Sequence, residues 1–565
     1  MELKAAKKYI VMAIVLAFTL FWKLNTFASN YGQVETFRGA NLEDSVFYPL
    51  IAENINRTNP VKVYVNSDMY ANNSSDVVLS GELEPLASTT FVRDYLGCAA
   101  FKSDESGLTL QCGSDLYEIT VGKKDAFCNG EEISLTQVPV EMNGKAYIGL
   151  EDVCTFCGYD YGYAYSDGMV RVAYDDMMAL PAYYDLRSFG RVGDVKDQGS
   201  SSTCWAYAAI GALESSLRPM EAALVSVDDM IDHVSLDERF AGDYTQAIAY
   251  LLSWKGPVIK AGEKPVYHLQ NVRFYDQGEI DEIKRAVFRY GGVSTSIYAS
   301  VSSSNLNNSN YYNKRTNSFY MYDDEKPNHE VVIIGWDDDY PAEYFSQRPD
   351  GDGAFICQNS WGSDFGEAGV FYISYYDKNI GTQAVSYSGI EYYYNYDNIY
   401  QSDLQGWIGR MGYTKSNAYG ANVFTAAGDE LVEAIGFYSV DTDSSYKIYF
   451  VPNFRNKASL ANRELVASGN LTDAGFYTVR FDKPQSVSEG EEFAVILYID
   501  TPRCLRPLAI EYEAGVTSEL VDISDGKGYV SNNGLEWSSI EEETGANLCI
   551  KAYSVNNKGG SNGSK

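Results

Sequence analysis

Hydrophobic and polar positions change their period several times along the chain, and each change marks an expected element. Residues 194–203 are polar and punctuated by Gly199. Cys204-Trp205-Ala206-Tyr207-Ala208-Ala209-Ile210 then opens an alanine-rich helix, with capping types at Ser202 and Thr203 before it and Pro219 after it. Gln246 to Trp254 and Gly278 to Tyr290 predict further helices, and Gly291 to Ile297 a strand. His329 opens the β-branched run Val331-Val332-Ile333-Ile334, and Ala354-Phe355-Ile356-Cys357 is a second apolar run. Both predict buried strands. Ser302 to Asn317 is rich in Ser and Asn and reads as a surface loop.

Towards the C-terminus the period falls to two. Ala434–Tyr438, Tyr446–Val451, Phe476–Phe481 and Glu492–Tyr498 alternate or run apolar, with Gly475 and Gly490 between them. This predicts a β-sandwich or jelly roll over 422–555, after a Tyr-rich connector at 391–421. Over 61–176 a β-rich module repeats itself. Thr90–Cys98 is echoed by Leu150–Gly158, the glycines 97 and 158 standing 61 residues apart. Each unit reads as a short helix with a glycine end, followed by a hairpin.

The first residues carry another pattern. Lys4, Lys7 and Lys8 precede fourteen apolar positions, Tyr9 to Trp22, too few for a span of ~20 residues. With Thr26-Phe27-Ala28 as a small-x-small site, residues 1–28 read as a secretory signal peptide, an uncleaved anchor being the alternative. Residues 29–60 are a patternless linker, and 556–565 a Gly/Ser/Asn tail expected to be disordered.

Length and charge narrow the classes. At 565 residues the chain holds several domains. Its net charge of −33 excludes nucleic acid and, once the signal is cleaved, an anionic membrane as partners. The 47 tyrosines fit β-rich secreted folds or carbohydrate-facing surfaces. Of nine cysteines, five lie in the repeat module: Cys98, Cys112, Cys128, Cys154 and Cys157. Cys154-x-x-Cys157 lacks the second pair a zinc site wants, so no metal or cofactor is expected, and these cysteines read as packing or structural disulfides. The odd total suits one cysteine kept free for chemistry.

That cysteine is Cys204. At a helix N-terminus the unpaired N–H groups and the macrodipole favour a negative charge, which eases formation of the reactive thiolate. Gln198, six residues earlier in the Gly-flanked loop, is placed to point its amide at the sulfur. The base has three candidates, His233, His268 and His329. Only His329 has a patterned setting; the other two read as surface or satisfied core. Thirty residues after it, Asn359 ends the second strand, able to orient the imidazole, and Trp361 to cover that bond from water.

Gln198-Gly199, Cys204-Trp205-Ala206, Asn328-His329-Glu330-Val331 and Asn359-Ser360-Trp361-Gly362, in that order, resemble the papain family of cysteine peptidases. Leu180-Pro181-Ala182-Tyr183-Tyr184-Asp185 resembles the start of a mature family member, which sets the peptidase at 180–390. The repeat module resembles the domain named after the N-terminus of copper amine oxidases, a stalk or surface-attachment piece; it has no histidine, so copper is discounted. The C-terminal region is similar to the lectin-like domain joined to papain-like peptidases in secreted bacterial proteins. The fold class implied is multidomain α+β: a papain-like peptidase, half helical and half β, flanked by the β-rich repeat module and a C-terminal β-sandwich.

The resemblance implies a secreted or cell-surface cysteine endopeptidase working through a thioester acyl-enzyme. Cys204, His329 and Asn359 take the catalytic positions. The Gln198 amide and the Cys204 main-chain N–H take the oxyanion hole, and Glu330, Ser296 and Trp361 line the substrate. Partners are protein or peptide substrates, with cell-wall or host glycans implied for the C-terminal domain. The sequence departs from the family in two places: no helical inhibitory segment is read before residue 180, and Ser200–Thr203 hold no cysteine for a disulfide beside the nucleophile. The alternative reading is a non-catalytic adhesin or carbohydrate-binding surface protein on the same scaffold.

Overall fold

The computed structural model describes residues 62–557 except 66–67, 71–75, 81–84, 103–106, 113–114, 143–144, 165–168, 175–179, 219–223, 235–241, 261, 300–308, 394, 515–520 and 525. The expected signal peptide, the linker, most of the C-terminal tail and part of the Ser/Asn-rich loop lie outside the described residues. Among those described, no helix is long and apolar enough to cross a membrane.

Two layers surround the expected nucleophile. Helices α1 (Cys204–Leu217), α2 (Tyr244–Leu252) and α3 (Ile280–Tyr290) lie against strands β1 (Tyr267–Tyr275), β2 (Val293–Ile297), β3 (His329–Asp337), β4 (Ala354–Gln358), β5 (Val370–Ser374) and β6 (Thr382–Tyr392). The strand order is β5-β4-β3-β2-β6-β1. α1 is buried on nearly every face because small residues let its neighbours approach. At Gly292, where β2 begins, a Cβ would sit 2.7 Å from Val332 of β3. Ser215 of α1 accepts the Gly292 N–H and donates to the Arg191 carbonyl, which ties the helix to the sheet. α2 starts with a reciprocal capping box between Asp243 and Gln246, so it begins two residues before its apolar pattern does.

The same sheet continues past β1. Strands β7 (Glu430–Ser439), β8 (Gly475–Val487) and β9 (Ile550–Asn556) extend it in the order β1-β8-β7-β9. The junction is the pairing of Val272 with Phe476 and of Arg273 with Gly475. Only a glycine fits there, since a Cβ on residue 475 would overlap the Val272 carbonyl oxygen. A six-stranded sheet packs over β7–β9 and completes a sandwich, with Ile448, Phe450, Phe493, Val495, Ile435 and Phe437 buried between the layers. Residues 391–421, expected as a connector, hold the end of β6, the short strands Asn398–Tyr400 and Gly409–Met411, and the start of the strand Asn417–Thr425. Their tyrosines are structural: Tyr396 is buried against Tyr553, and Tyr400 donates to Glu430. Strands of three residues are too short to show the alternation that marks a strand.

In the N-terminal region both repeat units appear as expected in form. Helix Thr89–Leu96 ends at Gly97 and helix Leu150–Cys157 at Gly158, each glycine left-handed, and an antiparallel hairpin follows each. Arg93 of the first helix donates to the Ile390 carbonyl of β6 at 2.6 Å, so the module rests on the back of the main sheet. The module cysteines fall within the expectation of packing or structural disulfides, but the inference from the odd total, one cysteine kept free, needs correction. One disulfide forms, Cys98–Cys112, and seven cysteines are free thiols, six besides Cys204. Most of those are buried in apolar surroundings, where a thiol behaves as a small hydrophobe.

Candidate active site

The loop before α1 is held by main-chain bonds. Asp197 bridges Trp361, the Gln198 N–H donates to the Ser360 carbonyl at 2.9 Å, and the Gly362 N–H donates to the Lys196 carbonyl at 3.1 Å. Two loops far apart in sequence thus form a short antiparallel ladder beside the helix start. The Gln198 side chain is clamped at both ends: its Oε1 accepts from the Ser360 hydroxyl and its Nε2 donates to the Ser201 carbonyl, both at 2.6 Å. One Nε2 hydrogen is committed, and the other remains to face a ligand.

Thr203 occupies the N-cap position of α1, yet its side chain makes no capping bond; its hydroxyl meets Ser201 Oγ at 2.6 Å instead. The main-chain N–H groups of Trp205 and Cys204 are left to act on the Cys204 thiol, joined by that of Glu330. The thiol therefore lies against the start of β3, bonded by the residue that follows His329. Its acidity differs from the sequence expectation. Burial pushes it up to about 11, the Glu330 carboxylate adds to the rise, and the three N–H groups only oppose it. Desolvation outweighs the helix end because the sulfur has little water around it.

His329 donates from Nε2 to Asn359 Oδ1 at 2.8 Å. The same oxygen accepts the Ser360 N–H at 2.8 Å, which identifies it as an acceptor and fixes the tautomer. Nδ1 of His329 is then a bare lone pair, available for a proton. The Trp361 ring lies over the imidazole at 4.7 Å, as expected of a cover. Burial holds the His329 imidazole down to about 4, against the opposing Asn359 bond. Each partner alone resists its charged form. Proton transfer between them makes both charges at once, and their attraction then offsets the loss of hydration.

The remaining expected residues fall as follows. Glu330 and Ser296 stand opposite one another across β3 and β2, and both are buried. Ser296 donates to Gln383 Oε1 at 2.7 Å. Burial, and after it the charge of Asp243, pushes the Glu330 carboxyl up to about 8, so it is mostly protonated at neutral pH. His233 bonds Asp229 on its own helix, and His268 is buried in an aromatic stack away from the thiol. Sequence reasoning missed Ser360 and Ser201, the clamps on Gln198, and Tyr244, whose main chain bonds Glu330. Ser360 lay inside a quoted motif; nothing in the local pattern marked Tyr244. The sulfur atoms of Cys98, Cys112 and Cys157 gather within 4.8 Å in the N-terminal module, with two of them joined as the disulfide.

Residues 180–390 match the family described as papain family cysteine protease, and residues 399–554 the family described as lectin like domain. Cathepsin S of Mus musculus is 30% identical over 242 residues, 39% of this chain and 64% of that protein. The viral cathepsin of Heliothis zea nuclear polyhedrosis virus is 29% identical over 207 residues, 34% of this chain and 51% of that protein. The chain thus spans about half to two-thirds of the length of the curated relatives it matches. Among solved structures, a clostridial cysteine protease, Cwp84 after propeptide cleavage, aligns with a TM-score of 0.59 at 23% identity, covering 66% of this chain and 99% of that one. The cysteine protease and lectin-like domains of Cwp84, a surface layer associated protein of Clostridium difficile, align at 0.57 and 22%, covering 67% and 90%. These two share the fold across both domains. By these matches residues 180–390 are similar to papain family cysteine proteases, and the region after them is similar to a lectin-like domain.

Proposed function

We propose that this chain is a secreted or cell-surface cysteine endopeptidase acting through Cys204, His329 and Asn359. The observations that support the reading are the Nε2–H bond from His329 to Asn359, which leaves Nδ1 bare, and the main-chain N–H of the next residue, Glu330, bonding the buried Cys204 thiol. His329 Nδ1 takes the Cys204 proton, and the thiolate attacks a peptide carbonyl carbon. The resulting oxyanion accepts from the Cys204 main-chain N–H and the uncommitted Gln198 Nε2 hydrogen; one such donor is typically worth ~10²–10³ in rate. His329 then returns its proton to the leaving amine. Water, deprotonated by the same imidazole, cleaves the thioester and frees the carboxylic acid.

Three finer readings go with this. Glu330 and Ser296 form a pocket wall beside the thiol that prefers a Lys or Arg side chain in the second residue before the scissile bond. Once the Glu330 carboxylate forms, above about pH 8, a charge-assisted bond of ~1.5–3 kcal/mol makes that about 10–100-fold in specificity. The N-terminal repeat module serves as a copper-amine-oxidase-N-like attachment piece. The C-terminal domain meets cell-wall or host glycans, and the surface-layer location of the Cwp84 protein supports a cell-surface site for this one. The test is a thiol-directed peptidyl trap on the full chain, with the modified residue mapped. Labelling at Cys204, lost in Cys204→Ala together with peptide hydrolysis, is the expected result. No labelling and no hydrolysis would favour the adhesin reading.

A further inference from the structure

The lectin-like domain reaches back to the helical half of the peptidase. Gln401 donates to the Ser253 carbonyl at 3.1 Å, and Gly406 lies on Ala249 of α2. The Trp407 ring sits 5.8 Å from Phe274 of β1, which meets Tyr244 at 6.4 Å. Arg410 stacks on Trp407 with its guanidinium 5.0 Å from the ring centre. It is close enough to Tyr244 for its charge to favour the phenolate. Tyr244 in turn lies beside Glu330, and Glu330 beside Cys204. A continuous wall therefore runs from the nucleophile to Arg410, crossing from one domain to the other.

Next to Arg410 opens a cavity of about 610 Å³, lined by Arg410, Arg503, Arg506, Asp441, Leu505 and Tyr512 among others. Its volume is in the range of ligand clefts. Its charge is unlike the rest of the molecule. The chain carries 77 acidic and 44 basic residues, yet here three arginines meet one aspartate. Arg503 pairs with Asp443 at 2.8 Å, both of them exposed. Among the described residues, neither Arg410 nor Arg506 has an acidic partner. An acidic polypeptide approaching this molecule is repelled by its net charge, and the arginine cavity offers it a local attraction. Between it and the thiol, Glu330 is mostly protonated at neutral pH, and Asp243 stands beside both Glu330 and Tyr244.

We propose that Arg410, Arg503 and Arg506 form a subsite for acidic side chains of the substrate polypeptide, through which the lectin-like domain selects where the peptidase cuts. The inference rests on the endopeptidase reading. The continuous wall favours a peptide already seated in the cleft over a separately bound glycan. Guanidinium groups suit the ligand because they offer paired N–H donors to a carboxylate.

The experiment uses the full chain and three quenched fluorogenic peptides sharing one cleavable core. One carries a run of three Asp on the N-terminal side of the core, one carries it on the C-terminal side, and one carries Asn throughout. One Asp placement is expected to raise kcat/KM about tenfold over the Asn peptide, through KM, since three exposed charge pairs of modest strength add up to that much. The gain should vanish in 1 M salt, where screening acts over ~3 Å. Arg410→Gln with Arg506→Gln should remove the gain and leave the Asn peptide cleaved at the wild-type rate, which also checks folding. Arg506→Glu should make the Asp peptide poorer than the Asn peptide. Equal rates for all three peptides with wild type overturn the subsite, as does a gain that survives in the double variant. So does binding of polygalacturonate that depends on Arg410 and Arg506 while the Asp peptides show no gain. If wild type fails to cut even the Asn peptide, any Asp peptide or a broad peptide mixture, the endopeptidase reading falls instead.

Discussion

His329 and His268 sit in nearly the same immediate surroundings. Each is buried and each donates a ring N–H to an asparagine Oδ1, Asn359 at 2.8 Å and Asn395 at 2.7 Å. Each asparagine oxygen also accepts the main-chain N–H of the following residue, Ser360 and Tyr396. Each ring lies against a tryptophan, Trp361 at 4.7 Å and Trp254 at 3.6 Å. Burial holds both imidazoles down to about 4. The difference lies at the free face. His329 opens β3 beside the Cys204 thiol, whereas His268 lies flat on Trp254, which meets Tyr553 of β9, at the seam between peptidase and lectin-like domain. A bonded, oriented, desolvated histidine is therefore no sign of catalysis; a reactive partner at its bare nitrogen is.

The sharpest break comes from removing each ring. His329→Ala should lower kcat on the order of 10⁴-fold or more, as losing a catalytic base does. His268→Ala should leave kcat within a factor of two and cost ~2–4 kcal/mol of stability through the cavity it leaves, seen as a lower melting temperature. A fall in kcat for His268→Ala with an unchanged melt would dissolve the distinction. Next come the asparagines. Asn359→Ala should reduce kcat about 10²-fold by freeing the ring to take the wrong tautomer, with the pH profile of kcat shifted. Asn395→Ala should change neither kcat nor its profile and should cost ~1 kcal/mol of stability, read by chemical unfolding.

Two smaller tests use pH. His268 has a depressed folded value, so its contribution is fully present above about 6.5 and is lost as pH falls through about 4. Over that window wild type should lose stability relative to His268→Phe. Melting curves at pH 7 and pH 4.5 check this; parallel loss in the two proteins refutes it. Glu330 has the opposite sign. Its folded value of about 8 lies above that of the unfolded chain, so its contribution is present below about 4.5 and disappears as pH rises through 8. Glu330→Gln should therefore gain stability relative to wild type on going from pH 5 to pH 9. The preference for Lys or Arg substrates should grow over the upper part of the same range, as the carboxylate forms, and should be absent in the variant.

How much of this was legible differs from residue to residue. Cys204, Gln198, His329 and Asn359 were readable as candidates because each sits inside a short run whose residue types chemistry constrains; hydrogen bonds join Gln198 through Ser360 to Asn359 and His329, and Glu330 N–H bonds the Cys204 thiol. The acidity of Cys204 was not readable. The helix end is a local feature and favours the thiolate, but burial depends on what β3 brings over it and acts more strongly. Glu330 was readable as a neighbour of the histidine, while its protonation needed Asp243 and the depth of the site. The aromatic setting of His268 was invisible, since Trp254, Asn395 and Tyr553 lie on three separate segments.

What the chain alone determined is the set of periods and motifs: an alanine-rich helix led by a cysteine, β-branched strands led by a histidine and closed by an asparagine, two helix–hairpin repeats, and an alternating β-region at the end. These are local, because side-chain period and backbone preference act over a few residues. Only the tertiary structure decided that β8 pairs with β1 and makes one sheet of two domains, with Gly475 at the single position where the carbonyl of Val272 leaves no room for a side chain. It also decided which buried histidine stands next in the chain to the residue that bonds the thiol and which lies on a tryptophan ring, and it set three arginines around one cavity in an acidic molecule. Strand pairing, desolvation and charge proximity are sums over groups distant in sequence, so no stretch of the chain contains them until it folds.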